Sequence, residues 1–142
     1  MSGWIGFDLD GTLAHYNSGK FRADEVGEPI APIVQLARRY MARGNEIRIF
    51  TARVYPINAC IDALSSDIQL DIWMMQLRRQ APELMKERIT EAFTTVKAIR
   101  KWSELHLGRV VSVTNVKDYN MTVLYDDRAR QVLTNQGIVV GE

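Results

Sequence analysis

The sequence predicts an α/β fold: a parallel sheet of about five strands flanked by helices, with a helical insertion after the second strand. Three observations carry that expectation. Short apolar runs alternate with amphipathic stretches along the chain, which is the pattern of βαβ units and right-handed crossovers. Several of the runs stop abruptly at acidic or hydroxyl residues, at the edge where such sheets bind ligands. The stretch from 54 to 107 exceeds one crossover helix, for which a dozen or so residues suffice.

The elements follow in order. Trp4-Ile5-Gly6-Phe7 is a buried strand that ends at Asp8-Leu9-Asp10-Gly11-Thr12-Leu13. Side chains two apart in an extended segment point the same way, so Asp8 and Asp10 converge, and Gly11 permits a sharp turn behind them. A polar loop, Ala14 to Glu28, reads as a flap over the strand end, with His15 and Tyr16 as its plausible substrate contacts. From Pro29 an apolar stripe through Ile33, Val34, Leu36, Ala37, Tyr40 and Met41 marks a helix closing on Gly44. Glu46 to Thr51 is the second strand, and it leaves a hydroxyl exposed where a helix should begin at Thr51-Ala52-Arg53.

The first half of the long stretch, around Ile57, Cys60, Ile61, Leu64, Ile68, Ile72 and Leu77, reads as helical with a break near Ser65-Ser66-Asp67. Its second half repeats apolar residues every three to four positions from Leu84 to Leu105, between Pro82 and Gly108. We expect one crossover helix over about 94–107, preceded by an insertion at about 54–93 within a single domain spanning 1–142. Trp73, Met74 and Met75 in that insertion could serve as core, lid or oligomer contact, of which core packing and self-association suit Met and aromatic side chains best. Val110 to Thr114 is the third strand and Thr122 to Tyr125 the fourth. A short helix through Ala129, Val132 and Leu133 should lead past Gly137 to a last strand, Ile138 to Val140.

Composition excludes several classes. A net charge of +1 argues against a strong nucleic-acid footprint. The lone Cys60 excludes an internal disulfide framework and suits a reducing cytoplasm, and its expected place is a buried helix. No run approaches membrane-spanning length and no basic leader precedes an apolar core, so neither anchor nor export signal is expected.

Four strand ends thus deliver Asp8 with Asp10, Thr51, Lys117, and Asp126 with Asp127. Close carboxylates are costly to bury without a cation, and Mg²⁺, which prefers hard oxygen ligands and recruits phosphate, is the obvious one. Each residue also has an ordinary structural explanation. Thr51 could cap a helix, Lys117 could be a solvated charge, and Asp-Asp-Arg could open a helix. Four such features in order at one sheet edge favour a common site.

The motifs DLDGT, the Thr of IFTAR, the Lys of VTNVKD and the acid pair of LYDDR match, in that order, the four signatures of the haloacid dehalogenase superfamily, which the chain resembles over all but the insertion. The resemblance implies a Rossmann-like core with the first strand central, between the second and fourth. It implies that Asp8 is the nucleophile that forms an aspartyl-phosphate, and that Asp10 protonates the leaving group and then activates water. It implies Mg²⁺ held by the Asp8 carboxylate, the Asp10 backbone carbonyl and the Asp126-Asp127 pair, Asp127 directly and Asp126 through water. Thr51 would hydrogen-bond the transferring phosphoryl group and Lys117 would neutralise its charge. Gly11, Thr12, Arg53 and Asn115 complete the candidate set as substrate contacts, with Arg53 and Arg128 able to orient substrate or brace the acids.

The aspartate at position 10 is the one that phosphatases of the superfamily carry, and the loop after the first strand is too short for a cap domain there. The expected activity is therefore Mg²⁺-dependent hydrolysis of a phosphomonoester in an open site, on a phosphorylated small molecule, a nucleotide or a nucleic-acid end. LYDDR also resembles the matching stretch of deoxyribonucleotidases and polynucleotide 3′-phosphatase domains. The rival is a non-catalytic or regulatory binding module on the same fold; a phosphoacceptor receiver domain fits less well, because its acids and Lys fall on other strands. No membrane partner is expected, and the insertion offers a surface for homo-oligomer contact.

Overall fold

The computed structural model of the chain describes residues 3–16 and 22–142. The middle of the expected flap, 17–21, lies outside the described residues. The fold is α/β. A five-stranded sheet has the order β3-β4-β2-β1-β5, with β1 Trp4–Asp8, β2 Glu46–Phe50, β3 Cys60–Ile61, β4 Ser112–Thr114 and β5 Met121–Tyr125. Strand β1 is internal rather than central, parallel to its neighbours β2 and β5, and β2, which is parallel to β4, takes the middle place. These are the neighbours expected for the first strand. The sheet is mixed rather than wholly parallel, because β3 runs antiparallel to β4.

Helix α1 covers Ala31–Ala42, with Pro32 at its start and Gly44, at φ +86°, just past its end. Helix α2 is Asp67–Gln80, opened by a capping box in which Ser66 and Gln69 bond each other's backbone N–H. Helix α3 is Glu83–Leu107, 25 unbroken residues closed by Gly108 at φ +89°. The expected boundary between insertion and crossover helix, at 93–94, therefore falls inside one helix. Nothing between Pro82 and Gly108 can break it, and Ile89, Ala92 and Phe93 share the core with Val96 and Ile99.

The helices gather on one face of the sheet. Ile5 and Phe7 of β1, Ile47 and Ile49 of β2, and Val113 of β4 enter a single core with residues of all three helices. Alternation turns Trp4, Gly6 and Asp8 to the other face. There Trp4 is buried without a helix: the Arg48 guanidinium lies 4.6 Å from the indole ring and Asp118 accepts from Nε1 at 2.8 Å. Gly6 fits closely against this layer, since a Cβ there would lie 3.0 Å from the Trp4 ring and 3.1 Å from Leu124, and either side chain would have to shift to admit it.

Two segments correct the expectation. Residues 57–64 form no helix; Ile57 and Ile61 are buried, and Cys60 stands exposed in the two-residue strand β3. Pairing with β4 outweighs a helical pattern too short to nucleate. The C-terminal segment makes neither the expected helix nor the expected strand. Asn135 and Gly137, at φ 60° and 68°, fold 131–133 back on 138–140, giving Leu133 N to Ile138 O and Val140 N to Gln131 O bonds at 2.9 and 2.8 Å. No helix among the described residues is long and apolar enough to cross a membrane.

Candidate active site

Where β1 ends, the chain sorts its side chains by depth. Leu9 and Leu13 are 0% exposed and sit in the core, while Asp8, Asp10 and Thr12 are left at the sheet edge. The apolar pair anchors the turn, and Gly11 shapes it. At φ +89° it adopts a conformation L residues avoid, and a Cβ there would lie 2.6 Å from an Asp127 carboxylate oxygen. Gly11 and Thr12 therefore serve the acids. The Thr12 hydroxyl lies 3.4 Å from Asp8 Oδ2 and 3.2 Å from Asp127 Oδ1, where its single proton serves one at a time, and it accepts from the Asp127 N–H at 3.1 Å.

The second acid group comes from β5. Tyr125 stacks on Phe7 with centroids 4.8 Å apart, and its hydroxyl lies 2.7 Å from that of Tyr40. This fixes the strand end, so Asp126 and Asp127 arrive beside Asp8. Asp126 Oδ1 accepts from the Arg128 N–H at 2.9 Å. Ligand oxygens of Asp8, Asp126 and Asp127 all lie within 4.8 Å of one another. The crowding has an electrostatic signature: burial first, then the hydrogen bond with Asp127 and the charges of Asp126 and Asp127, push the Asp8 carboxyl up to about 7. Such a hard-oxygen cluster has the chemistry of a divalent-cation site. The Asp10 carboxylate is outside that trio, so of the four residues expected at the metal three gather through their side chains.

Asp10 faces Arg53 instead. Arg53 Nη1 lies 3.6 Å from Asp10 Oδ1, with both side chains mostly buried. Burial raises the Asp10 carboxyl, opposed by Arg53 and reinforced by Asp127. The other arm of the guanidinium donates to the carbonyls of Arg22 at 3.1 Å and Glu25 at 2.7 Å. The described part of the flap is also held by α3, where Thr95 donates to Ala23 O at 2.8 Å and the Trp102 indole to Gly27 O at 2.9 Å. Arg53 is thus a brace between flap and acid.

Thr51 departs from the expected exposed hydroxyl. It is buried, and its Oγ1 accepts from the Arg53 N–H at 3.2 Å, capping a single 3-10 turn over Ala52–Val54 because Val54 dives into the core. The hydroxyl proton remains available to a ligand.

A cleft of about 510 Å³ unites these groups. Asp8, Asp10, Asp126 and Asp127 line it, with Thr51 and Phe50 in its wall and Arg53, Arg128 and the half-exposed Tyr16 around them. His15 is exposed and does not line it. Lys117 is the main correction: it is exposed and outside the lining. Its neighbour Asp118 is bound to Trp4 and Arg48 on the open face, which draws this loop away from the acids. Asn115 is half-buried with its Oδ1 enclosed and no hydrogen-bond partner among the described residues, and it too lies outside the lining. Comparison with protein-family models, with curated proteins and with solved structures found no match for the chain.

Proposed function

We propose that the chain is a Mg²⁺-dependent phosphatase, a haloacid dehalogenase-like hydrolase that cleaves a phosphomonoester through an aspartyl-phosphate on Asp8. The observation that carries the reading is the gathering of Asp8, Asp126 and Asp127 within 4.8 Å at the strand ends, with Asp10 held beside Arg53 in the same cleft. Asp8, Asp126 and Asp127 would hold the cation, which when bound offsets their charge and that of the phosphate. An Asp8 carboxylate oxygen attacks phosphorus, and the bond to the ester oxygen breaks. Asp10, its carboxyl raised by burial, protonates the departing alkoxide. Water then attacks the aspartyl-phosphate while Asp10 takes its proton, releasing phosphate and restoring Asp8. Thr51 donates to the phosphoryl oxygens, and Arg53 and Arg128 supply positive charge at the cleft.

The open cleft suits a phosphorylated small molecule, a nucleotide or a nucleic-acid end, and the lone thiol suits a cytoplasmic setting. One observation favours the rival, a binding module without turnover: Lys117, the expected neutralising cation, is outside the cleft. Hydrolysis of p-nitrophenyl phosphate with and without Mg²⁺ separates the two. We expect Mg²⁺-dependent turnover that Asp8→Asn lowers by on the order of 10⁴-fold, and beryllofluoride binding to wild type alone. Equal rates in wild type and Asp8→Asn would remove Asp8 as nucleophile, and no turnover in either would favour the binding module.

A further inference from the structure

Beyond Arg53 the molecule has a second cleft of about 290 Å³, lined by Arg22, Arg53, Tyr55, Arg88, Glu91 and Thr95. Arg53 lines both clefts, so the two lie on either side of one side chain. Their charges are opposite. Four carboxylates line the first cleft, whereas the second sets Arg22 and Arg88 against the one carboxylate of Glu91, with Arg53, whose guanidinium is held by Asp10 and the flap carbonyls, in the wall between. Arg88 and Glu91 are exposed side chains of α3, and among the described residues Arg22 pairs with Asp24, at 3.2 Å on the surface, a contact an anion can displace at little loss. Guanidinium groups match phosphate in planar, two-point hydrogen bonds. Tyr55, an exposed residue on the same cleft, offers an aromatic ring on which a base can stack.

We propose that this second cleft is a subsite for a second phosphate, so that the substrate is a nucleotide-type phosphomonoester with another phosphate group beyond the one removed. The inference rests on the phosphatase reading for which phosphate reacts, but the subsite binds whether or not turnover occurs. A simple monophosphate leaves Arg22 and Arg88 without a ligand; a nucleoside bisphosphate or the phosphorylated end of an oligonucleotide fills both clefts.

Calorimetric titration of the full chain with adenosine 3′,5′-bisphosphate, with the 3′- and 5′-monophosphates, and with a phosphorylated trinucleotide tests this. The bisphosphate should bind wild type about tenfold tighter than either monophosphate, as one added charge-assisted contact implies. Arg88→Gln should abolish that ratio, and Glu91→Gln should increase it. A gain for the trinucleotide alone would assign the subsite to a phosphodiester. No gain for either ligand, or an equal loss of all ligands in Arg88→Gln, would overturn the subsite. Absent p-nitrophenyl phosphate turnover with the ratio intact would instead remove the phosphatase reading and leave the subsite standing.

Discussion

The loop after β1 and the loop after β4 leave the sheet at the same level, since Asp8 lies opposite Phe50 and Phe50 opposite Thr114. The first loop brings every one of its polar motif residues to the cleft edge. The second does not bring Lys117. What separates them is where their anchors are buried. Leu9 and Leu13 seat the first loop in the helix-covered core. Asp118 ties the second to Trp4 and Arg48 on the open face. A motif residue reaches a site only if the apolar or polar anchors on either side of it point there too.

The largest effect should come from loosening the first loop. Leu13→Ala removes a side chain that is 0% exposed, and a buried Leu→Ala change costs about 2–5 kcal/mol. Urea denaturation should show that loss, and divalent-cation affinity should fall with it because Asp8 and Thr12 lose their seat. Normal cation affinity in a destabilised Leu13→Ala protein would separate the anchor from the site.

The next comparison pits the cation inside the cleft against the one outside it. Arg53→Gln removes the brace between Asp10 and the flap as well as a positive charge at the cleft where the proposed reaction places the phosphate. One such group is typically worth about 10²–10³-fold in turnover. Lys117→Gln should change turnover of p-nitrophenyl phosphate by less than about threefold, within the range of a surface charge. Comparable losses in the two variants would mean that the loop after β4 does reach the phosphate.

The third prediction concerns the acids themselves. The Asp8 carboxyl is raised from 3.8 to about 7, so between these values the folded protein keeps a proton that the unfolded chain has released. Stability without divalent cations should therefore fall as pH rises from about 4 to 7 and level off above it. Cation binding displaces that proton, so the rise in melting temperature on adding Mg²⁺ should be larger at pH 8 than at pH 5.5. A pH-independent Mg²⁺ effect would show that the cation does not bind at Asp8.

Much of this was legible beforehand. Strands β1, β2 and β5 and helix α1 announce themselves by period and by their polar or glycine ends, and so do Asp8, Asp10, Asp126 and Asp127. The misreadings have physical causes. Strand β3 is two residues long and has no period to detect. The division of α3 at 93–94 came from the usual length of a crossover, although no residue between Pro82 and Gly108 interrupts the helix. The turn at Asn135-Gln136-Gly137 was a usable signal, because Asn and Gly tolerate positive φ. Arg88 and Tyr55 had none, since they meet Arg53 only through the packing of α3 against the 3-10 turn. The Arg53 brace was half visible: its carbonyl partners on the flap depend on tertiary packing, which no local pattern reports.

The smallest effect should appear at the anchor of the second loop, with a pH dependence opposite in sign to that of Asp8. The Trp4 indole, first, and then the Asn120 N–H and the Arg48 charge hold the Asp118 carboxyl below its usual value. A lowered carboxyl stabilises the folded state above the unfolded value of 3.8, and the contribution is lost as pH falls through the still lower folded value. Asp118→Asn keeps an oxygen that can accept from the indole and removes only the charge facing Arg48 at 3.4 Å. The variant should therefore melt slightly below wild type at pH 7, and the gap should close as pH falls through the lowered folded value of Asp118. Because the carboxylate is exposed, salt should shrink the difference at pH 7. If Lys117 is held out of the cleft by this anchor, Asp118→Ala, which also removes the acceptor for the Trp4 indole, should make turnover more sensitive to a second change, Lys117→Gln. Strict additivity of the two would show that the anchor does not set where Lys117 stands.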